Sequence, residues 1–115
     1  MPTVREFESE VVFPVVIADS QGVITHINEP FTSAFGWTPE EIIGKLLSAI
    51  MPPKFRDSHH LGLSRFLTTQ SPTILDQPLQ LEVLTKTGEV INAEHLIIAE
   101  RREQTWVFAA RIRPL

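Results

Sequence analysis

Asn28-Glu29-Pro30-Phe31 and, a few residues on, Phe35-Gly36-Trp37-Thr38-Pro39-Glu40-Glu41-Ile42-Ile43-Gly44-Lys45 form the stretch that decides how this chain is read. It directly follows a short apolar strand candidate that ends at Asn28. Asn28 can close that strand by bonding its side chain to nearby backbone. Thr38 can cap a short helix with Pro39 at its first position, and Glu40 and Glu41 then lie at the helix's positive end. Gly44 supplies the backbone freedom that ends it. Glu40 and Glu41 are adjacent, so a helix points them to different sides, and they serve the helix dipole rather than paired acid–base chemistry.

Working outward, residues 1–10 are mixed and acidic. Val4, Phe7 and Val11 sit at helical spacing, which fits either a short amphipathic lead-in helix or a frayed tail. Residues 11–18 are β-branched and apolar, interrupted by Pro14, as suits an edge strand or a strand start. Asp19-Ser20-Gln21-Gly22 is a turn. Residues 23–27 alternate Val23, Thr25 and Ile27 against Ile24 and His26, the second strand of a hairpin. Residues 29–51 form short helical pieces stopped by Pro52-Pro53. Residues 55–69 make the longest helix candidate, with Phe55, His59, Leu63, Phe66 and Leu67 on one face. Three strand candidates follow, at 77–86, 89–101 and 105–113. Thr87-Gly88 turns between the first two, and Arg102-Glu103-Gln104 between the last two. This order predicts an α+β domain: a five-stranded antiparallel sheet with short helices and one long helix on one face.

The 115 residues suffice for one domain, a lead-in segment at 1–10 and a single unit at 11–115, and 43% hydrophobic content supports one core. A formal net charge of −4 with scattered basic residues argues against nucleic acid as a partner. No apolar run reaches the roughly 18–20 residues of a membrane span, and no secretory leader is visible, so a cytoplasmic location is expected. There is no cysteine, which excludes disulfides, thiol nucleophiles and Cys-based metal sites. Gly-rich phosphate loops, His-Glu-x-x-His and Gly-x-Ser-x-Gly are absent as well. An enzyme on this scaffold would lack a nucleophile or an acid–base pair.

The order of strand, Asn-x-x-Phe, aromatic-rich turn, Pro-Glu-Glu helix start and Gly-Lys over residues 28–45 resembles the PAS sensory-domain family. The pattern of elements extends the resemblance from about residue 13 to 113. It implies a PAS-like fold and a sensory or docking role, as input to a histidine kinase or to transcription regulation. A small ligand would lie between the long helix and the sheet, and a homodimer would form through the sheet and the N-terminal segment. Trp106 and Phe108 are read as core or dimer surface rather than a cofactor box, and the sheet side carrying them is the candidate dimer surface. The output domain or protein is expected outside these residues, because the last residues, Arg111-Ile112-Arg113-Pro114-Leu115, depart from the junction with which many family members lead into an output helix. Covalent flavin is excluded by the missing cysteine; non-covalent flavin stays open.

Helical periodicity separates the two neighbouring histidines. His59 shares a face with Phe55 and Leu63 and should meet the sheet, while His60 should meet solvent. Residues 55–66 also resemble the proximal helix of haem-containing PAS sensors. That resemblance implies His59 as an axial iron ligand, the one metal contact expected, and Arg65 as partner to a propionate. The alternative is a core histidine in a domain without haem. The position that holds bound oxygen in such sensors falls near Leu79, which has no donor. On the strand at 89–101, Ile91, Ala93, His95, Ile97 and Ala99 alternate onto one face, which places His95 inward. His59 and His95 can be two axial ligands, a ligand and a donor, metal ligands awaiting a third, or unrelated core residues. The expected pocket wall is Phe55, His59, Leu63 and Phe66 from the helix, and Leu79, Leu81, His95 and Ile97 from the strands. Arg111 falls on the alternate face from Trp106 and Phe108 and is expected to be solvated.

Overall fold

A computed structural model of the chain describes residues 3–51 and 79–115. The elements run α1 (Val4–Glu8), β1 (Val15–Ala18), β2 (Ile24–Ile27), α2 (Glu29–Phe35), α3 (Pro39–Ile42), a 3₁₀ turn (Leu47–Ile50), β3 (Leu79–Leu84), β4 (Val90–Arg102) and β5 (Thr105–Pro114). The strands form one antiparallel sheet in the order β2-β1-β5-β4-β3. The chain therefore builds one edge hairpin, crosses through helices, and returns with three strands whose last member slots beside the first. The long helix expected at 55–69 lies outside the described residues.

Period-two alternation gives the sheet two faces. On the inner face, Val16, Ile24, Ile27, Ala93 and Ile112 join Phe31 and Phe35 of α2 and Ile42 of α3 in one buried cluster. Phe31 and Phe35, one helical turn apart, meet edge to face with centroids 5.0 Å apart. On the outer face, Val4 and Phe7 of α1 pack on Val15, Ile17, Ile98 and Ala109. Of the two readings of the N-terminus, the docked helix is the one that forms: Thr3 caps it, and both apolar residues are buried. Val11 is not part of that stripe and stands 79% exposed.

Three strand expectations are corrected. The first strand begins at Val15 rather than at residue 11, and Val11, Val12 and Phe13 are exposed. Proline cannot donate to a ladder, and the N–H groups of Val12 and Phe13 bond to the Glu10 carboxylate instead. In β2 a bulge breaks the simple alternation. Ile17 pairs with His26 but Ala18 pairs with Ile24, so Thr25 is extra, and Ile24 and Ile27 both face the inner core. Trp106 and Phe108 share their face with Ala110 and Ile112, the inner side, whereas α1 lies on the outer side with Val107 and Ala109. The N-terminal segment and the Trp106–Phe108 pair thus belong to opposite faces of the sheet.

The deciding stretch behaves largely as its residues dictate. Asn28 caps α2, accepting the Phe31 N–H, and Gly36 ends that helix with φ of 85°. A side chain on Gly36 would also come within 3.4 Å of the Lys86 Cβ. Glu41 reaches back to accept both the N–H and the hydroxyl of Thr38, each at 3.0 Å. Gly44, at φ of 93°, lets the chain turn so that its N–H donates to the Ile24 carbonyl. The Trp37 indole N–H donates to the Leu84 carbonyl at 3.0 Å, and the Lys86 N–H to Phe35. Together with the Lys86–Glu41 ion pair, these bonds fasten the helical layer to the β3–β4 hairpin.

Candidate ligand site on the inner face of the sheet

The register of β3, β4 and β5 fixes which side chains share the inner wall. His95 pairs with Ile112 on one side and Leu79 on the other; Leu81 pairs with Ala93; Ile97 pairs with Ala110. His95 is 8% exposed, between buried Ala93 and half-buried Ile97 along its own strand. Its Nδ1 lies 3.3 Å from the Ala93 carbonyl oxygen. The neighbouring inward residues of β4 and β5 are apolar, among them the small Ala93, Ala99 and Ala110, with Ala93 fully buried. Leu81 and Ile97 remain half-buried at this wall. Such a surface suits an apolar ligand held by few polar anchors, with the imidazole as the titratable group among the inward-facing residues of β4 from Ala93 to Ala99. The other expected site residues, Phe55, His59, Leu63, Arg65 and Phe66, lie outside the described residues. Among the described residues no cluster of metal-ligating side chains occurs, and no helix is long and apolar enough to cross a membrane.

Charge is concentrated away from this wall. The Lys86 ammonium beside Glu41, then the Thr38 N–H and hydroxyl, hold the Glu41 carboxyl down at about 2. Glu10 is also held below the usual carboxylate range, foremost by the Val12 N–H; partial burial opposes this, and the Phe13 N–H and Arg111 add to it. Arg102 donates to Glu100 at 2.7 Å and to Glu8 at 3.1 Å, which ties α1 to β4 and raises the guanidinium still further.

Sequence reasoning missed a second cluster. Arg111, expected to be solvated and with 41% of its side chain exposed, lies with its guanidinium carbon 5.8 Å from the ring centres of both Phe7 and Phe13, and with its Nη1 3.8 Å from the Glu10 Oε1. The available signal was weak: an Arg on the same strand face as the outer core, and two aromatics flanking a glutamate in the lead-in segment. A groove of about 950 Å³ opens beside this cluster, lined in part by Glu10, Val12, Phe13, Asn28 and Pro30.

A curled antiparallel sheet in this strand order, with one face under short helices and an apolar wall carrying a single imidazole, defines a small sensor-type α+β module. The model of the PAS fold matches residues 4–105. The chain belongs to the PAS family, whose domains are sensory modules. An uncharacterised protein of Azorhizobium caulinodans is 30% identical over 102 residues, covering 88% of this chain and 14% of that protein. The sensor protein FixL of Bradyrhizobium diazoefficiens is 31% identical over 61 residues, covering 53% of this chain and 12% of that one. The chain thus spans about one seventh or less of these relatives' length. The PAS domain of an HTR-like protein from Haloarcula marismortui superposes with a TM-score of 0.75 at 19% identity, over 95% of this chain and 85% of that one. A PAS domain from Desulfitobacterium hafniense superposes at 0.76 and 18%, over 96% and 99%. At such identities these structures speak for the fold alone.

Proposed function

We propose that this PAS domain is a non-enzymatic input module of signal transduction that takes a small, largely apolar ligand against the inner wall of the sheet. The observation that carries this reading is His95, a nearly buried imidazole on a wall of alanine, isoleucine and leucine. Ligand binding would shift the population between two packings of the sheet. The change would reach a partner through a homodimer or an output domain. The likeness to a sensor protein supports the class of role and leaves the ligand open. A thermal-shift screen of small apolar and heteroaromatic compounds tests it. Stabilisation in the wild type that is lost in His95→Leu supports the pocket; identical responses in both proteins would remove His95 from it.

A haem-bearing form of the same reading rests on His59 and Arg65 in the segment at 55–66. The described wall supports it in one respect: His95, inward on β4, would offer a second nitrogen. Leu79, opposite His95 in register, brings no donor, which speaks for redox or non-oxygen sensing. An absorbance scan after haem addition separates the two forms. A Soret band abolished by His59→Ala favours haem, and no band removes it.

A further inference from the structure

The two ends of the Asn28 side chain serve different parts of the molecule. Its Oδ1 accepts the N–H of Val15 at 2.9 Å and of Phe31 at 3.1 Å, joining β1 to the first turn of α2. Its Nδ2 donates to the carbonyls of Glu10 at 3.0 Å and Phe13 at 2.9 Å. Those carbonyls belong to the strap, residues 9–14, that connects α1 on the outer face to β1. Arg111 holds the strap from the sheet side, between the rings of Phe7 and Phe13 and beside Glu10. Little else does. Val11 and Val12 are 79% and 69% exposed, and the groove beside the strap is not filled by protein atoms. A segment with few buried apolar contacts opens locally at low cost.

We propose that the strap is a releasable latch that couples the helices over the inner face to α1 on the outer face. A shift of the first turn of α2 turns Asn28, breaks the two bonds to the strap and loosens α1, which is otherwise seated by Val4 and Phe7. Because coupling between two sites is reciprocal, loosening the strap from the Arg111 side must in turn loosen the start of α2. The latch stands whether or not the inner wall takes a ligand; if it does, the latch is the route by which the outer face learns of it.

Hydrogen exchange of the full chain, read at peptide resolution, tests this with two variants. Asn28→Asp keeps both acceptor bonds and removes both donations to the strap. Arg111→Met keeps an unbranched stem and removes the charge. Each is expected to speed exchange across residues 4–14 by about tenfold, the worth of a hydrogen bond or two, with β4 unchanged. Arg111→Met is expected also to speed the amides of Phe31 and Thr32, and the double variant to add little to either single one. A merely structural strap gives the opposite pattern. Faster exchange at 4–14 in Arg111→Met with the start of α2 unmoved, or wild-type exchange of the strap in Asn28→Asp, overturns the latch. If Asn28→Asp unfolds globally, seen as faster exchange in β4, Arg111→Met alone decides by the same criterion.

Discussion

Replacing Asn28 by alanine is the sharpest test of how the fold is held. The substitution removes bonds to Val15, Phe31, Glu10 and Phe13. Loss of the α2 cap costs about 1 kcal/mol. The Val15 N–H sits at the start of a fully buried strand. Leaving it without an acceptor costs a further ~1–3 kcal/mol. The Glu10 and Phe13 carbonyls can turn to water, so their loss adds only about 0.5 kcal/mol each. The sum is about 3–5 kcal/mol, a large part of the 5–15 kcal/mol typical of a domain. For a chain of this size that corresponds to a melting point lower by about 10–20 °C. Urea denaturation followed by circular dichroism gives the midpoint, with Asn28→Asp expected to recover roughly half the loss because it keeps the acceptor. A loss below about 1 kcal/mol in Asn28→Ala, or no recovery in Asn28→Asp, would refute the four-way role.

Other outcomes are equally concrete. The β4–β5 turn holds Glu103 and Gln104 at φ of 50° and 68°, where side chains are strained, so Gln104→Gly should stabilise by about 0.5–1 kcal/mol in the same assay; a destabilisation would contradict this turn geometry. Trp37→Phe removes the bond to the Leu84 carbonyl and should cost about 1–2 kcal/mol, against no change if the indole merely covers the surface. The folded-state pKa of Glu41 is depressed to about 2, so its contribution is present above the ordinary carboxylate value and lost as pH falls towards 2. Melting temperatures of wild type and Glu41→Gln should therefore differ at pH 6 and converge near pH 2; parallel curves would contradict the ion pair's role.

Much of this molecule is legible in its sequence because local chemistry and global fold agree. Asn28, Thr38, Pro39 and Gly44 each announce a cap or a stop, and the strands of the second half alternate cleanly enough to place His95 against Ala93, Ile97 and Ile112. Where sequence reasoning failed, the cause was an interaction that composition and strand parity do not reveal. Val11, Val12 and Phe13 have the composition of a strand, yet a carboxylate one to three residues back takes two of their N–H groups. Thr25 offers no sign that the ladder will skip it. Arg111 keeps 41% of its side chain exposed, as its strand parity suggests, but parity does not tell that Phe7 and Phe13 will flank it. Trp106 and Phe108 were assigned to a surface with the N-terminal segment, but α1 docks on the side of Val107 and Ala109. Of the candidate site, the strand wall could be read from period two alone; the residues expected from the helix at 55–69 carry only the argument of their spacing.

Native mass spectrometry of the freshly purified protein, beside the variant Ile97→Trp that fills the inner wall, tests the central claim most directly. The account predicts a small non-covalent mass, either retained from the purification or acquired on incubation with a compound that raises the melting point, present on the wild type and absent from Ile97→Trp. A wild-type chain that holds nothing under either condition, or an adduct equally strong on the blocked variant, would contradict a ligand seated against His95.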